Sequence, residues 1–217
     1  MLHGDAGVGA GEDDRLRLLA AEIGRCAYVR GATVSRSQLS ADVRAATDLG
    51  GQRPKAIVLS CADSRVPVEH VFRQGIGDLF VVRLAGNVPM PLGGTIASIE
   101  YAIEHVATPK VLVVLGHSRC GAVKSTIEVR EAGTVASLTP ELQALVAEIA
   151  PAVEEAERHP TPDLLTAAIH ENADLAARHL LERSEVVRRA VESGELKLVI
   201  GYYHLDTGKV DLEEYGR

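Results

Sequence analysis

The sequence predicts an α/β protein built on a mainly parallel central sheet flanked by helices. Two stretches, AIVLSC (56–61) and KVLVVLGHS (110–118), are nearly continuous in apolar residues, with none of the alternation of a half-exposed strand. Such runs suit strands buried on both faces, as in parallel sheets. Helical patterns fall between the strand-like runs and supply the crossovers that parallel strands need. No repeat, low-complexity tract or Pro/Ser-rich linker divides the 217 residues, so residues 14–217 are expected to form a single domain.

Taken in order, residues 1–13 are rich in Gly, Ala and acids and predict a flexible tail. From Asp14, the apolar positions Leu16, Leu18, Leu19, Ile23, Ala27 and Val29 approximate a helical stripe. A second amphipathic stretch covers about Gln38–Leu49, and Gly50, Gly51 and Pro54 break it before the first strand. DLFVVRLAG (78–86) reads as the second strand and KVLVVLGHS as the third. Helices are expected over Pro67–Arg73, Gly93–His105, Gly121–Ala132, Pro140–Ala156 and, as one long element, Pro162–Ser193. LKLVIGYYHLDTGKV (196–210) then gives a strand, a turn at Asp206–Gly208 and a short edge strand.

Composition narrows the function. The chain is 46% hydrophobic and 24% charged, ordinary values for a globular protein. A formal net charge of −7 argues against a nucleic-acid binder, which usually carries a basic surplus. No apolar run reaches the roughly 18 to 20 residues that span a bilayer. The start, MLHGDAGVGAGEDD, lacks the basic and apolar stretches of a secretory signal, so a cytoplasmic location is expected. Three cysteines are too few and too scattered for a disulfide framework, and in such a setting they pack, bind metal or react.

The polar residues that carry chemistry sit at strand ends. Cys61-Ala-Asp63-Ser-Arg65 follows AIVLS, and His117-Ser-Arg-Cys120 follows VLVVLG. Open α/β sheets bind ligands beyond the carboxyl ends of their strands. If the two strands are neighbours, Cys61 meets His117 and Cys120 at one point, and two thiolates with one imidazole form a typical zinc set. Singly, each of these residues reads as an ordinary buried cysteine or a satisfied histidine; two clusters at matching strand ends favour ligation. GNVPMPLGG (86–94) allows tight backbone near that point but lacks the spacing of a dinucleotide or phosphate-binding loop.

CADSR at 61–65 with GHSRCGAV at 116–123 resembles the β-class carbonic anhydrases, as does the intervening QGIGDLFVVRLAGN. The resemblance runs from about Gln52 to Val129 and returns in GYYHLDTGKV. It implies that Cys61, His117 and Cys120 hold one zinc ion per subunit, with Asp63 and Arg65 as a catalytic pair beside it. Two thiolates leave the zinc little net charge, so bound water is acidified less than at a three-histidine site. An ionised Asp63, held off the metal by a bidentate Arg65, would orient the attacking hydroxide. If that pair opened, Asp63 would be a fourth ligand and close the site. Members with bicarbonate-triggered closure carry tryptophan three residues before the first ligand; here that position is Val58 and the chain has no tryptophan. An open site at neutral pH is therefore expected.

The resemblance also matches Gln74 to a glutamine that reaches a neighbouring subunit's site and donates to substrate, and puts the Gly121 amide near bound product. Phe72, Val82 and Leu84 either line a narrow pocket for a small apolar gas or pack in the core; the sequence leaves both open. Cys26, inside the first helical stripe, reads as packing. His105, His159, His170 and His179 lack partners at ligand spacing. His204 stands where relatives often have Asp, as a proton relay or a turn-stabilising residue.

The activity implied is that of a zinc lyase: reversible hydration of carbon dioxide to bicarbonate and a proton by zinc-bound hydroxide. The alternatives are hydrolysis of carbonyl sulfide or carbon disulfide at the same zinc, and a non-catalytic zinc-stabilised module in which Asp63 completes the coordination. As implied partners, family members form homodimers or homotetramers. An N-terminal helical arm (about 14–49) ahead of the sheet would bury its apolar stripe on a partner subunit; no nucleic acid or membrane partner is expected.

Overall fold

Residues 40–91, 94–106, 109–159 and 161–216 are described by a computed structural model. Strand β1 (Ala56–Ser60) lies between β2 (Leu79–Arg83) and β3 (Val111–His117), with β4 (Lys197–Tyr203) beyond β3, all parallel. Strand β5 (Val210–Glu214) closes the order β2-β1-β3-β4-β5 as an antiparallel edge on β4. Every residue of β1 and β3 is buried, as their unbroken apolar sequences demand. The tail over 1–13, the helical stripe from Asp14 and Cys26 lie outside the described residues, and with them most of the expected arm.

The helices follow the expected order with two differences. Helix α1 (Ala41–Gly50) is capped by Ser40, whose hydroxyl accepts from the Val43 amide at 3.2 Å. Helix α2 is shorter than expected, Val68–Val71, and the left-handed Arg73 (φ 56°) lies just beyond it. Helices α3 (Thr95–His105), α4 (Gly121–Glu131) and α5 (Pro140–Arg158) match their patterns. The long helix expected over Pro162–Ser193 is two: α6 (Leu164–Arg183) and α7 (Glu185–Glu192). Ser184 makes the break. Its backbone is extended, and its hydroxyl accepts from the Val187 amide at 3.1 Å and donates to Glu100 at 2.7 Å. A buried serine that bonds its own backbone competes with helix continuation.

The sheet carries core on both faces. Ile57, Leu59, Leu112 and Val114 pack against α3, α6 and α7, whereas Val58, Val113 and Leu115 pack on the other face with Val66, Val68 and Phe72. A third cluster at the carboxyl end joins Cys61 and Cys120 to Val123, Ile149, Ile169 and Tyr202. The chain leaves β1 for β2 on one side, and then crosses over β1 to β3 on the other. That reversal opens a crevice at the carboxyl ends of β1 and β3, the usual ligand position in such sheets. Among the described residues no helix is long and apolar enough to cross a membrane.

Candidate metal centre

Register brings the two sequence clusters together. Ser60 is paired with Leu115, so Cys61, leaving β1, is within one residue of the level of His117 at the end of β3. Arg119 then turns the chain through a left-handed conformation (φ 57°) and returns Cys120 as the N-cap of α4. There the amides of Val123 and Ala122 face the Cys120 sulfur. Among the described residues, Cys61, His117 and Cys120 alone form a group whose potential ligand atoms all lie within 4.8 Å of one another. All three are buried.

These residues fit a metal ion. The His117 Nδ1 is 3.1 Å from the Ser118 carbonyl, which can only accept, so the ring proton belongs on Nδ1. The lone pair is left on Nε2, which is fully buried and has no hydrogen-bond partner. Buried polar atoms are rarely orphaned, and a ligand site is one of the standard reasons. The Cys61 and Cys120 sulfurs are 3.9 Å apart, too far for a disulfide and close to the edge of about 3.8 Å of a tetrahedron with metal–sulfur bonds of about 2.3 Å. The Cys120 thiol, by hydrogen bonding to the Cys61 sulfur, lowers the Cys61 pKa, and the Asp63 and Gly86 amides add to this against the effect of burial. Cys120 itself is pushed up, because its thiol proton is held in the hydrogen bond to Cys61, burial disfavours its thiolate, and a second negative charge would lie beside the first. A bound cation removes that obstacle and takes both sulfurs as thiolates.

Asp63 is turned toward Arg65. Arg65 Nε donates to Oδ1 at 2.9 Å and Nη2 to Oδ2 at 2.6 Å, while the Arg65 amide also donates to Oδ1 at 2.9 Å. Nη2 reaches the Arg119 carbonyl as well, at 3.2 Å, which ties the two strand-end loops together. Asp63 Oδ2 stands 3.9 Å from His117 Nε2 without joining the sulfur–imidazole group. The Arg65 hydrogen bonds hold the Asp63 carboxyl down to about 2.

The other expected site residues lie outside the sulfur–imidazole group. Gln74 is buried; its Nε2 donates to the Phe72 carbonyl at 3.0 Å and its Oε1 accepts from Lys55 at 3.1 Å. It lines a cavity of about 360 Å³ with Glu69, His70 and Ile76, and no residue of the sulfur–imidazole group contributes to that wall. Phe72 packs in the core beneath the sheet, and Val82 packs with Ile57 and Ile99 on the other face. Of the three apolar candidates, only Leu84 packs against the cluster holding Cys61 and Cys120. Gly121 is the exposed first residue of α4. His204 closes the β4–β5 turn: its amide donates to the Lys209 carbonyl at 2.8 Å, and its Nε2 lies 2.7 Å from Asp211. His170 stacks on Tyr202 and His179 faces Glu148.

Sequence reading missed Arg83. Its guanidinium donates to the Cys61 carbonyl at 3.1 Å and to the Asp63 carbonyl at 2.7 Å, fixing the loop that presents both side chains. The signal was available, since Arg83 is a charged residue at the carboxyl end of an apolar strand, as Asp63 and Arg65 are.

The family model for carbonic anhydrase matches residues 56–210 of this chain. This chain belongs to the β-carbonic anhydrase family. A carbonic anhydrase of Mycolicibacterium smegmatis is 36% identical over 174 residues, covering 76% of this chain and 77% of the relative. The solved β-carbonic anhydrase CcaA superposes with a TM-score of 0.67 at 25% identity, over 92% of this chain and 94% of that one. A tetrameric β-carbonic anhydrase of the filamentous ascomycete Sordaria macrospora shares the fold at a TM-score of 0.67 and 20% identity, over 95% and 98% of the two chains. The chain is an enzyme of the carbonic anhydrase family, and its Cys61, His117 and Cys120 are grouped as a possible metal site.

In this family member the Asp63–Arg65 pair makes a direct prediction. A depressed folded-state pKa means that ionised Asp63 stabilises the fold above its unfolded pKa of about 3.9, and that this contribution is lost as pH falls through about 2. Arg65→Ala is expected to raise the Asp63 midpoint from about 2 toward about 3.9, followed by carboxyl-carbon NMR of the metal-free protein. A midpoint that stays near about 2 would show that Arg65 is not its cause.

Proposed function

We propose that this chain catalyses the reversible hydration of carbon dioxide to bicarbonate and a proton, with one zinc ion per subunit held by Cys61, His117 and Cys120. The observation that carries the reading is the buried, unpartnered His117 Nε2 grouped with two cysteine sulfurs, with an arginine-locked carboxylate beside them. When bound there, zinc supplies the Lewis acidity that makes water a usable nucleophile near neutral pH.

The chain's residues do the rest. An ionised carboxylate only accepts, so Asp63 takes a hydrogen bond from the attacking water and turns its lone pair toward carbon dioxide. Arg65 keeps Asp63 ionised and directed away from the ligand group, which favours the open arrangement. The Gly121 amide, at the start of α4, offers a donor to the anionic product. Leu84, Val88 and Tyr202 pack around Cys61 and Cys120 and limit water there. A reducing compartment such as the cytoplasm suits two thiols held 3.9 Å apart. The assembly proposed is the homodimer or homotetramer that the family resemblance implies.

Two thiolates damp the acidity that zinc confers, so stopped-flow hydration by the zinc-loaded protein should rise toward alkaline pH. A flat profile between about pH 6 and 9 would count against this mechanism. Hydrogen sulfide release from carbonyl sulfide, run beside it, identifies a heterocumulene hydrolase if it exceeds carbon dioxide hydration.

A further inference from the structure

Cys61 receives a hydrogen bond from outside both the ligand group and the Asp63–Arg65 pair: the Gly86 amide donates to its sulfur at 3.2 Å. Gly86 lies in the 3₁₀ turn Ala85–Asn87 with φ 68° and ψ 19°, a left-handed conformation that favours glycine. A Cβ at this position would stand 2.8 Å from Ile149 Cδ1, so any side chain here would have to push Ile149 aside. Its carbonyl accepts from Asn172 Nδ2 at 2.8 Å. Asn172 is 2% exposed, on the face of α6 that also buries Ile169, Ala173 and Ala176. An amide buried among aliphatic side chains is costly unless bonded, and this one spends its donor on a turn 86 positions away in sequence.

We infer that Asn172 is a positioning residue for the metal centre, fixing Gly86 so that its amide meets the Cys61 thiolate. The two hydrogen bonds use different peptide groups, so the coupling is geometric: Asn172 holds the carbonyl side of residue 86, which sets the direction of the N–H side. A donor aimed at a ligand sulfur orients it and offsets its charge, as outer hydrogen bonds do at metal sites generally. The inference rests on the reading of Cys61, His117 and Cys120 as a zinc site.

The test measures zinc affinity by competition with a chromophoric chelator, and the thiolate-to-metal absorption band of the cobalt(II)-substituted protein. Asn172→Asp keeps the shape and removes the donor, and Asn172→Ala gives the same readout should the buried carboxyl prevent folding. Leu180→Ala, a fully buried position on the same helix, controls for plain destabilisation. The Asn172 variants are expected to bind zinc about 10- to 100-fold more weakly and to shift the cobalt band, with Leu180→Ala within about twofold of wild type. Wild-type affinity and an unmoved band in the Asn172 variants would overturn the inference, as would an equal loss in Leu180→Ala. Failure of the wild-type protein to bind zinc would instead overturn the metal-site reading itself, and this inference with it.

Discussion

Replacing His117 with alanine is expected to cut carbon dioxide hydration by about 10³-fold or more and to remove most of the bound zinc. The imidazole is fully buried, and its Nε2 is the one nitrogen among the three donors. Without it, two sulfurs 3.9 Å apart must share a cation that has lost a protein ligand. Metal content reads this directly. Thermal unfolding reads it a second way, because a ligand bound only by the folded state raises the midpoint. Zinc should raise the melting temperature of the wild-type protein and leave that of His117→Ala nearly unchanged. A variant that keeps one zinc per chain and the same zinc-dependent shift would remove His117 from the centre.

That centre was legible in the sequence because its parts are local to strand ends. AIVLS and VLVVLG are unambiguous buried strands, and Cys61 and His117 follow or end them directly; parallel neighbours in register bring both to one crevice. The Asp63–Arg65 pair spans three residues of one loop, and it was legible only through the family resemblance of CADSR. What the sequence hid depends on contacts between distant segments. Ser184 looked like one more polar residue in a charged helix, and its role in breaking that helix needs Glu100, 84 positions earlier. Asn172 sits in HENADLAAR, which reads as a solvated face until α6 is laid against the Ala85–Asn87 turn. Phe72 and Val82 show the converse: apolar residues near a site motif say little about which face they pack on, and here that face is core.

Asp63→Asn tests the chemistry separately from the metal. Asparagine keeps the size of the side chain but replaces one acceptor oxygen with a donor. If its amide nitrogen takes the Oδ2 position, it meets Arg65 Nη2, donor against donor, where the carboxylate now accepts at 2.6 Å. If it takes the other position, it confronts Arg65 Nε and the Arg65 amide, which both donate to Oδ1. Either way the guanidinium loses its bidentate partner, and the group proposed to accept from the attacking water becomes uncharged. The expected result is a fall of about 10²- to 10³-fold in kcat with zinc content unchanged, since Asp63 stands outside the ligand group. The loss should be similar at every pH between about 6 and 9. Asp63 is held down to about 2, so the wild-type carboxylate is already fully ionised across that range and the expected alkaline rise would belong to another group. Activity within about threefold of wild type would show that the carboxylate does not orient the nucleophile. A loss of zinc in step with activity would show instead that Asp63 supports the metal, and the division of labour between ligands and pair would have to be redrawn.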